Sequence, residues 1–156
     1  MKDVYRVGAE LPPLEIPVTR TLIVAGAIAS RDYQDVHHDA ERAREKGSPD
    51  IFMNILTTNG LVGRYITDHF GPTAVLRKVA IRLGAPNYPG DLLRLSGRIE
   101  SLENVALEGE NDALIENEAL TENDALIEIA VTGDNRRGRH VTGKVTVALP
   151  QEARSL

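Results

Sequence analysis

Residues 51–70 read IFMNILTTNGLVGRYITDHF. Apolar side chains at Ile51, Phe52, Ile55, Leu56, Val62, Tyr65 and Ile66 recur at helical spacing, and Gly71-Pro72 stops the pattern. Just upstream, Ser48-Pro49-Asp50 carries helix-start signals: a capping serine, a proline suited to the first helical position, and an acid for the first turn. The spacing therefore predicts one long, mostly apolar helix. Gly60 and Gly63 each cost that helix about 1 kcal/mol relative to alanine. They either admit a closely packed sheet or are simply tolerated.

On either side the pattern changes to strands. Leu14 to Ile28, rich in Val, Ile and Thr with Pro12, Pro13 and Pro17 near its start, is expected to be extended. Beyond the helix, AVLRKVAIRLG (74–84), LLRLSGRIESL (92–102), ALIEIAVTGD (125–134) and HVTGKVTVAL (140–149) read as strands, with a turn at NYPGD (87–91). One apolar helix between a first strand and an antiparallel series predicts an α+β architecture: a curved antiparallel sheet wrapped around one long central helix. At 156 residues the chain is expected to be a single domain, 1–156.

Composition narrows the function classes. There is no Cys, which excludes disulfides, thiolate metal sites and a cysteine nucleophile. A formal net charge of −5 argues against a nucleic-acid partner, which needs a basic face. The longest strongly apolar stretch, Thr21 to Ala29, is too short to span a bilayer, so no membrane role is expected. The first residues lack the apolar core of a signal peptide, and a cytoplasmic location is the default expectation.

From Glu103 to Glu128 the chain holds nine acids and no base, with ENDALIE at 110–116 and again at 122–128. The copies are too few and too short for a solenoid. They are expected to form an expanded connection inside one hairpin.

The densest set of reactive side chains is Asp32-Tyr33-Gln34-Asp35-Val36-His37-His38-Asp39. A polar loop is one reading, with Asp39 capping the short helix AERAREK, which Gly47 ends. A metal site is another, although adjacent histidines diverge and no clear third ligand stands at helical spacing; no metal is expected. Acid–base catalysis is the third. Side chains five apart do not share a face of a helix or strand, so Asp32 and His37 converge only if the chain turns between them. Histidine is suited to proton transfer near neutral pH, and a carboxylate beside it can orient the water being split.

RDYQDVHHDAERAREKGSPDIFMN (31–54) resembles the hydratase motif of the MaoC-like dehydratases: Asp, any residue, Asn, Pro, aliphatic, His. Asp32, Val36 and His37 fall on matching positions, while Gln34 and Asp35 replace Asn-Pro. The resemblance runs from about Val7 to Leu149, apart from the acidic stretch, and includes the APNYPGD turn (85–91). Within that family, the string from 31 to 52 is most similar to the small subunits of actinobacterial steroid-side-chain enoyl-CoA hydratases.

The resemblance implies a hot-dog fold and hydration of a steroid side-chain enoyl-CoA, as in cholesterol side-chain degradation. It needs no cofactor, coenzyme A being part of the acyl-CoA substrate. It also implies a heterotetramer with a MaoC-like chain that carries a DUF35 domain, which in turn recruits a thiolase-like aldolase. Such a reaction requires a base for water, a proton donor for the α-carbon, and donors aimed at the thioester oxygen. Asp32 and His37 share the first two tasks. The third suits backbone N–H groups near the start of the central helix. There relatives have His-Gly, whereas Met53-Asn54 stands here, so Asn54 is a candidate substrate-binding residue through its backbone N–H. Asn59 falls where relatives often have a polar substrate contact. The basic DNRRGRH (134–140) is expected to be a solvated hairpin turn rather than a phosphate contact. Two alternatives stay open: a non-catalytic subunit that binds acyl-CoA, and a homodimeric hydratase for straight-chain enoyl-CoA.

Overall fold

Alternating apolar and polar residues put every second side chain of a strand on one face, and four of the five strands follow that rule closely. The structure, a computed structural model, describes residues 5–104 and 125–150. Its strands are β1 (Glu10–Pro17), β2 (Val75–Leu83), β3 (Leu92–Asn104), β4 (Ala125–Asn135) and β5 (Gly138–Leu149). They form one antiparallel sheet in the order β1-β3-β4-β5-β2.

Leu93, Leu95 and Ile99 of β3, Ile127, Ile129 and Val131 of β4, and Val145, Val147 and Leu149 of β5 form the buried inner face. Against it lies α3 (Ile55–Phe70), which buries Val62, Tyr65, Ile66 and Phe70. This helix meets strands at both edges of the sheet, β1 and β2, as well as β5, as a sheet curled around a helix must. Gly63 sits where Leu76 of β2 packs closely on the helix, whereas Gly60 faces open space and is only tolerated.

The outer face is polar. Lys144 reaches both Glu100 and Glu128 at 2.8 Å, and these ion pairs hold its ammonium above the usual lysine range and Glu128 below the usual carboxylate range. The two edges differ more. β1 carries Pro12, Pro13 and Pro17, with a register shift between Leu11 and Leu14. β2 has no proline and presents Val75 and Leu76 to solvent, with Val79, Ile81 and Leu83 only half-buried.

Two sequence expectations need correction. The stretch Leu14–Ile28 is extended only as far as Pro17; Arg20–Ala29 is a helix, α1. The Thr19 hydroxyl caps it by accepting from Leu22 N, and Ile23 and Ala27, one turn apart, fill the core. Burial at that spacing outweighs the β preference of the branched residues. Likewise α3 starts at Ile55 and not at Ser48. Asp50 is taken by Arg20 at 2.6 Å, and residues 51–53 run extended, with Phe52 N donating to Val36 O and Met53 N to Asn87 O. The short helix does form as α2 (Ala40–Glu45), with Asp39 accepting from Glu41 N and Arg42 N.

The strand reading holds on both sides of the acidic repeat, at Glu103–Asn104 and Ala125–Glu128, while its centre lies outside the described residues. Among the described residues no helix is long and apolar enough to cross a membrane.

Candidate active site

The end of α1 starts the site. Ser30 Oγ donates to Gly26 O at 2.7 Å, and Asp32 N donates to Ala27 O at 2.9 Å. Between them Arg31 takes a left-handed backbone, φ 57°, the only such non-glycine among the described residues. That conformation costs on the order of 1–3 kcal/mol and persists only where its surroundings enforce it. A 3-10 turn at Asp35–His37 then brings the chain back on itself. This is the turn that convergence of Asp32 and His37 demands.

The other acids of the segment and its second histidine have separate tasks. Asp39 caps α2. Asp35 pairs with Lys46 at 3.0 Å, which holds its carboxyl below the usual range. The two histidines diverge: His38 Nε2 lies 3.1 Å from Tyr33 O, while the His37 ring turns inward. Among the described residues no three His, Cys, Asp or Glu side chains gather where they could hold a metal ion.

That leaves Asp32 and His37 facing each other, Oδ2 to Nε2 at 3.4 Å, with side chains only 15% and 7% exposed. The other ring nitrogen, Nδ1, lies 2.7 Å from Phe52 O. A carbonyl only accepts, so the Nδ1 proton is committed to it and Nε2 of the neutral ring presents a lone pair. The Phe52 ring stands edge-on to the imidazole at 4.9 Å, and Phe52 N bonds to Val36 O. Phe52 therefore grips the histidine turn through both its backbone groups and its ring.

A carboxylate oxygen and an imidazole lone pair cannot bond to each other directly. They are reconciled by a proton between them, or by a water that donates to both. The arrangement is thus suited to polarising a water molecule.

Asn54 is almost fully buried, 2% exposed, and caps α3 by accepting from Thr57 N at 2.9 Å. Its Nδ2 donates to Asp32 Oδ2 at 3.0 Å and to Ser30 Oγ at 2.9 Å. The sequence singled Asn54 out for its backbone N–H; the side chain is what meets the acid–base pair. Asn59, farther along α3, is half-buried, and among the described residues no hydrogen bond joins it to Asp32 or His37. Gly26 supports this geometry, because a side chain there would collide with Thr57, so α1 and α3 touch at that level.

Sequence reasoning missed Ser30 and Phe52. Phe52 acts through its backbone carbonyl, which leaves no residue-type signal. It also missed a second buried imidazole. In β5 the register with β4 skips His140, a β-bulge that turns its ring into the core. There Nδ1 donates to Ala85 O at 2.7 Å and Nε2 accepts from the Thr58 hydroxyl at 2.9 Å. Burial pushes its pKa down.

The DNRRGRH tip is solvent-exposed at Arg136 but not purely solvated. Arg136 Nε lies 2.6 Å from the buried Asp91 carboxylate, and Arg137 sits 4.8 Å over the Tyr88 ring. Tyr88 in turn stacks edge-on against Phe52 at 6.2 Å.

Known proteins match this architecture. The chain is 41% identical over 143 residues, 92% of its length and 95% of the relative's, to the 3-oxo-4,17-pregnadiene-20-carboxyl-CoA hydratase beta subunit of Mycobacterium tuberculosis. A chain in the crystal structure of the ChsH1–ChsH2 complex from the same organism superposes with a TM-score of 0.75 at 41% identity, covering 92% of this chain and 98% of that one. A MaoC-like dehydratase from Rhodospirillum rubrum shares the fold, with a TM-score of 0.71 at 17% identity over 94% and 93% of the two chains. No family model matches the sequence.

Proposed function

The chain belongs to the MaoC-like hot-dog hydratases, in the family of the pregnadiene-carboxyl-CoA hydratase beta subunit, and from that premise we propose that it adds water to the double bond of a steroid side-chain enoyl-CoA. One observation carries the reading: the Asp32 carboxylate and the His37 lone pair face each other at 3.4 Å, with the second ring nitrogen already committed to Phe52 O. A water donating one O–H to each group is held with its own oxygen lone pair free. Conjugation to the thioester makes the β-carbon electrophilic. The water oxygen bonds there, its proton passes to the pair, and the π electrons move toward the thioester oxygen. The α-carbon then takes a proton from the same pair, which restores the carbonyl and returns the site to its starting state.

Charge on the thioester oxygen needs donors. The first N–H groups of α3, at Ile55 and Leu56, have no acceptor within the helix and lie beside the residue that contacts Asp32. Exposed Ile28, Tyr33, Ile55 and Leu56 all stand within four residues of Asp32 or Asn54, an apolar rim suited to a bulky hydrocarbon acyl group or to the chain that encloses it.

The chain acts in a heteromer with a second MaoC-like chain carrying a DUF35 domain, two copies of each. The first test is hydration of a steroid enoyl-CoA by this chain with and without the co-expressed partner. Turnover that appears or rises strongly with the partner supports the proposal. Turnover of straight-chain enoyl-CoA alone by the isolated chain overturns the substrate assignment, and failure of the complex on either substrate overturns hydration.

A further inference from the structure

We infer that Asn54 is a positioning residue that fixes the Asp32 carboxylate against His37. The inference rests on the acid–base reading of that pair.

The Asn54 amide uses both of its ends. Oδ1 accepts from Thr57 N at 2.9 Å, and a backbone N–H can only donate, which fixes the orientation of the amide. Turned the other way, the carbonyl would face the Asp32 carboxylate. Nδ2 therefore points to Asp32 Oδ2 and Ser30 Oγ, at 3.0 and 2.9 Å. The Ser30 hydroxyl proton is itself donated to Gly26 O, which leaves the serine oxygen free to accept.

A single buried amide thus joins three pieces of chain: the end of α1, the reacting carboxylate and the first turn of α3. The oxygen it holds is the one that His37 Nε2 approaches. Asp32 Oδ1 has only a long contact, 3.4 Å, from Gln34 N. Without the amide, the carboxylate keeps no short hydrogen bond among the described residues and is free to turn away from the water it shares with His37.

Two substitutions separate this task from helix capping, since serine and aspartate are both good N-caps. In the complex with the partner chain, Asn54→Ser removes the Nδ2 amide that reaches Asp32 and leaves only a shorter hydroxyl. It should lower kcat for enoyl-CoA hydration by about 10- to 100-fold, the scale of a lost hydrogen bond to a charged group. KM and the thermal midpoint should stay near those of the unmodified complex. Asn54→Asp sets a second carboxylate against Asp32 and should lose more at neutral pH. Relative to the unmodified complex at the same pH, it should regain turnover as the pH falls, because a protonated carboxyl can donate again.

Turnover of Asn54→Ser within about twofold of the unmodified complex, beside an inactive Asp32→Asn, overturns the inference and leaves the acid–base reading standing. So does a loss confined to KM, which makes Asn54 a substrate contact, or one that follows a lowered thermal midpoint, which makes it only a cap. Full turnover by Asp32→Asn overturns the acid–base reading itself.

Discussion

Two buried imidazoles share one half of their surroundings and differ in the other. His37, in the turn after α1, and His140, at the bulge in β5, each donate from Nδ1 to a backbone carbonyl at 2.7 Å. At Nε2 they part. His140 accepts a threonine hydroxyl at 2.9 Å, so all of its hydrogen-bonding capacity is met. His37 faces a carboxylate that has no proton to give, at 3.4 Å. A satisfied ring is part of the core, whereas a ring with its lone pair held toward a second acceptor calls for water. Burial of a histidine therefore says little about its role; the partner of its second nitrogen decides.

Substitution at the two rings should give opposite results. Asp32→Asn and His37→Ala should each cut enoyl-CoA hydration at least about 100-fold, the usual scale for a general acid or base. Asp32→Asn should keep a thermal midpoint close to that of the unmodified chain, whereas His37→Ala, which leaves Phe52 O without its imidazole partner, should fold with a lowered midpoint; normal turnover in either folded variant would break the contrast. His140→Leu should reverse the pattern. It leaves the Thr58 hydroxyl and Ala85 O without the imidazole and should cost about 1–3 kcal/mol of stability, measured by denaturant unfolding, with activity per folded molecule largely kept.

The pH dependence sharpens the comparison further. Burial lowers the His140 pKa, so below the ordinary value of 6.5 the unfolded chain takes up a proton that the native ring refuses. Stability present above 6.5 should therefore be lost as pH falls through that value, by at most about 1.4 kcal/mol per pH unit from this one group. His140→Leu should flatten that part of the curve. A fall of the same size in the variant would assign the effect to other groups. The smallest effect should come from deleting residues 107–118, one twelve-residue unit of the acidic repeat that lies outside the described residues. Hydration and co-purification with the partner chain should both be unchanged.

The sheet was legible because alternation survives in β2 to β5 and each strand carries its own pattern. The body of α3 was legible for the same reason, through Val62, Tyr65 and Ile66. What escaped was decided by distant chain. Ser48-Pro49-Asp50 has every local mark of a helix start, yet Arg20 claims Asp50, and residues 51–53 are drawn out by Val36 and Asn87. α1 was hidden by its β-branched composition, although Thr19 and the Ile23/Ala27 pair were its signals. Asp32 and His37 could be named from the motif, but their facing geometry needs the end of α1, the left-handed Arg31 and the carbonyl of Phe52. The link from Asn54 to Asp32 spans 22 residues and has no trace in local pattern.

The unequal edges of the sheet set how many neighbours it can take. Proline has no N–H to offer, so the β1 border, with three of them, is a poor template for another strand. The β2 border keeps its donors and acceptors and its apolar side chains. In terms of polymer chemistry, the sheet is monovalent: one border can react and the other is end-capped. Growth along the strand-stacking direction, the route to fibres, is therefore hindered at the β1 border of this chain.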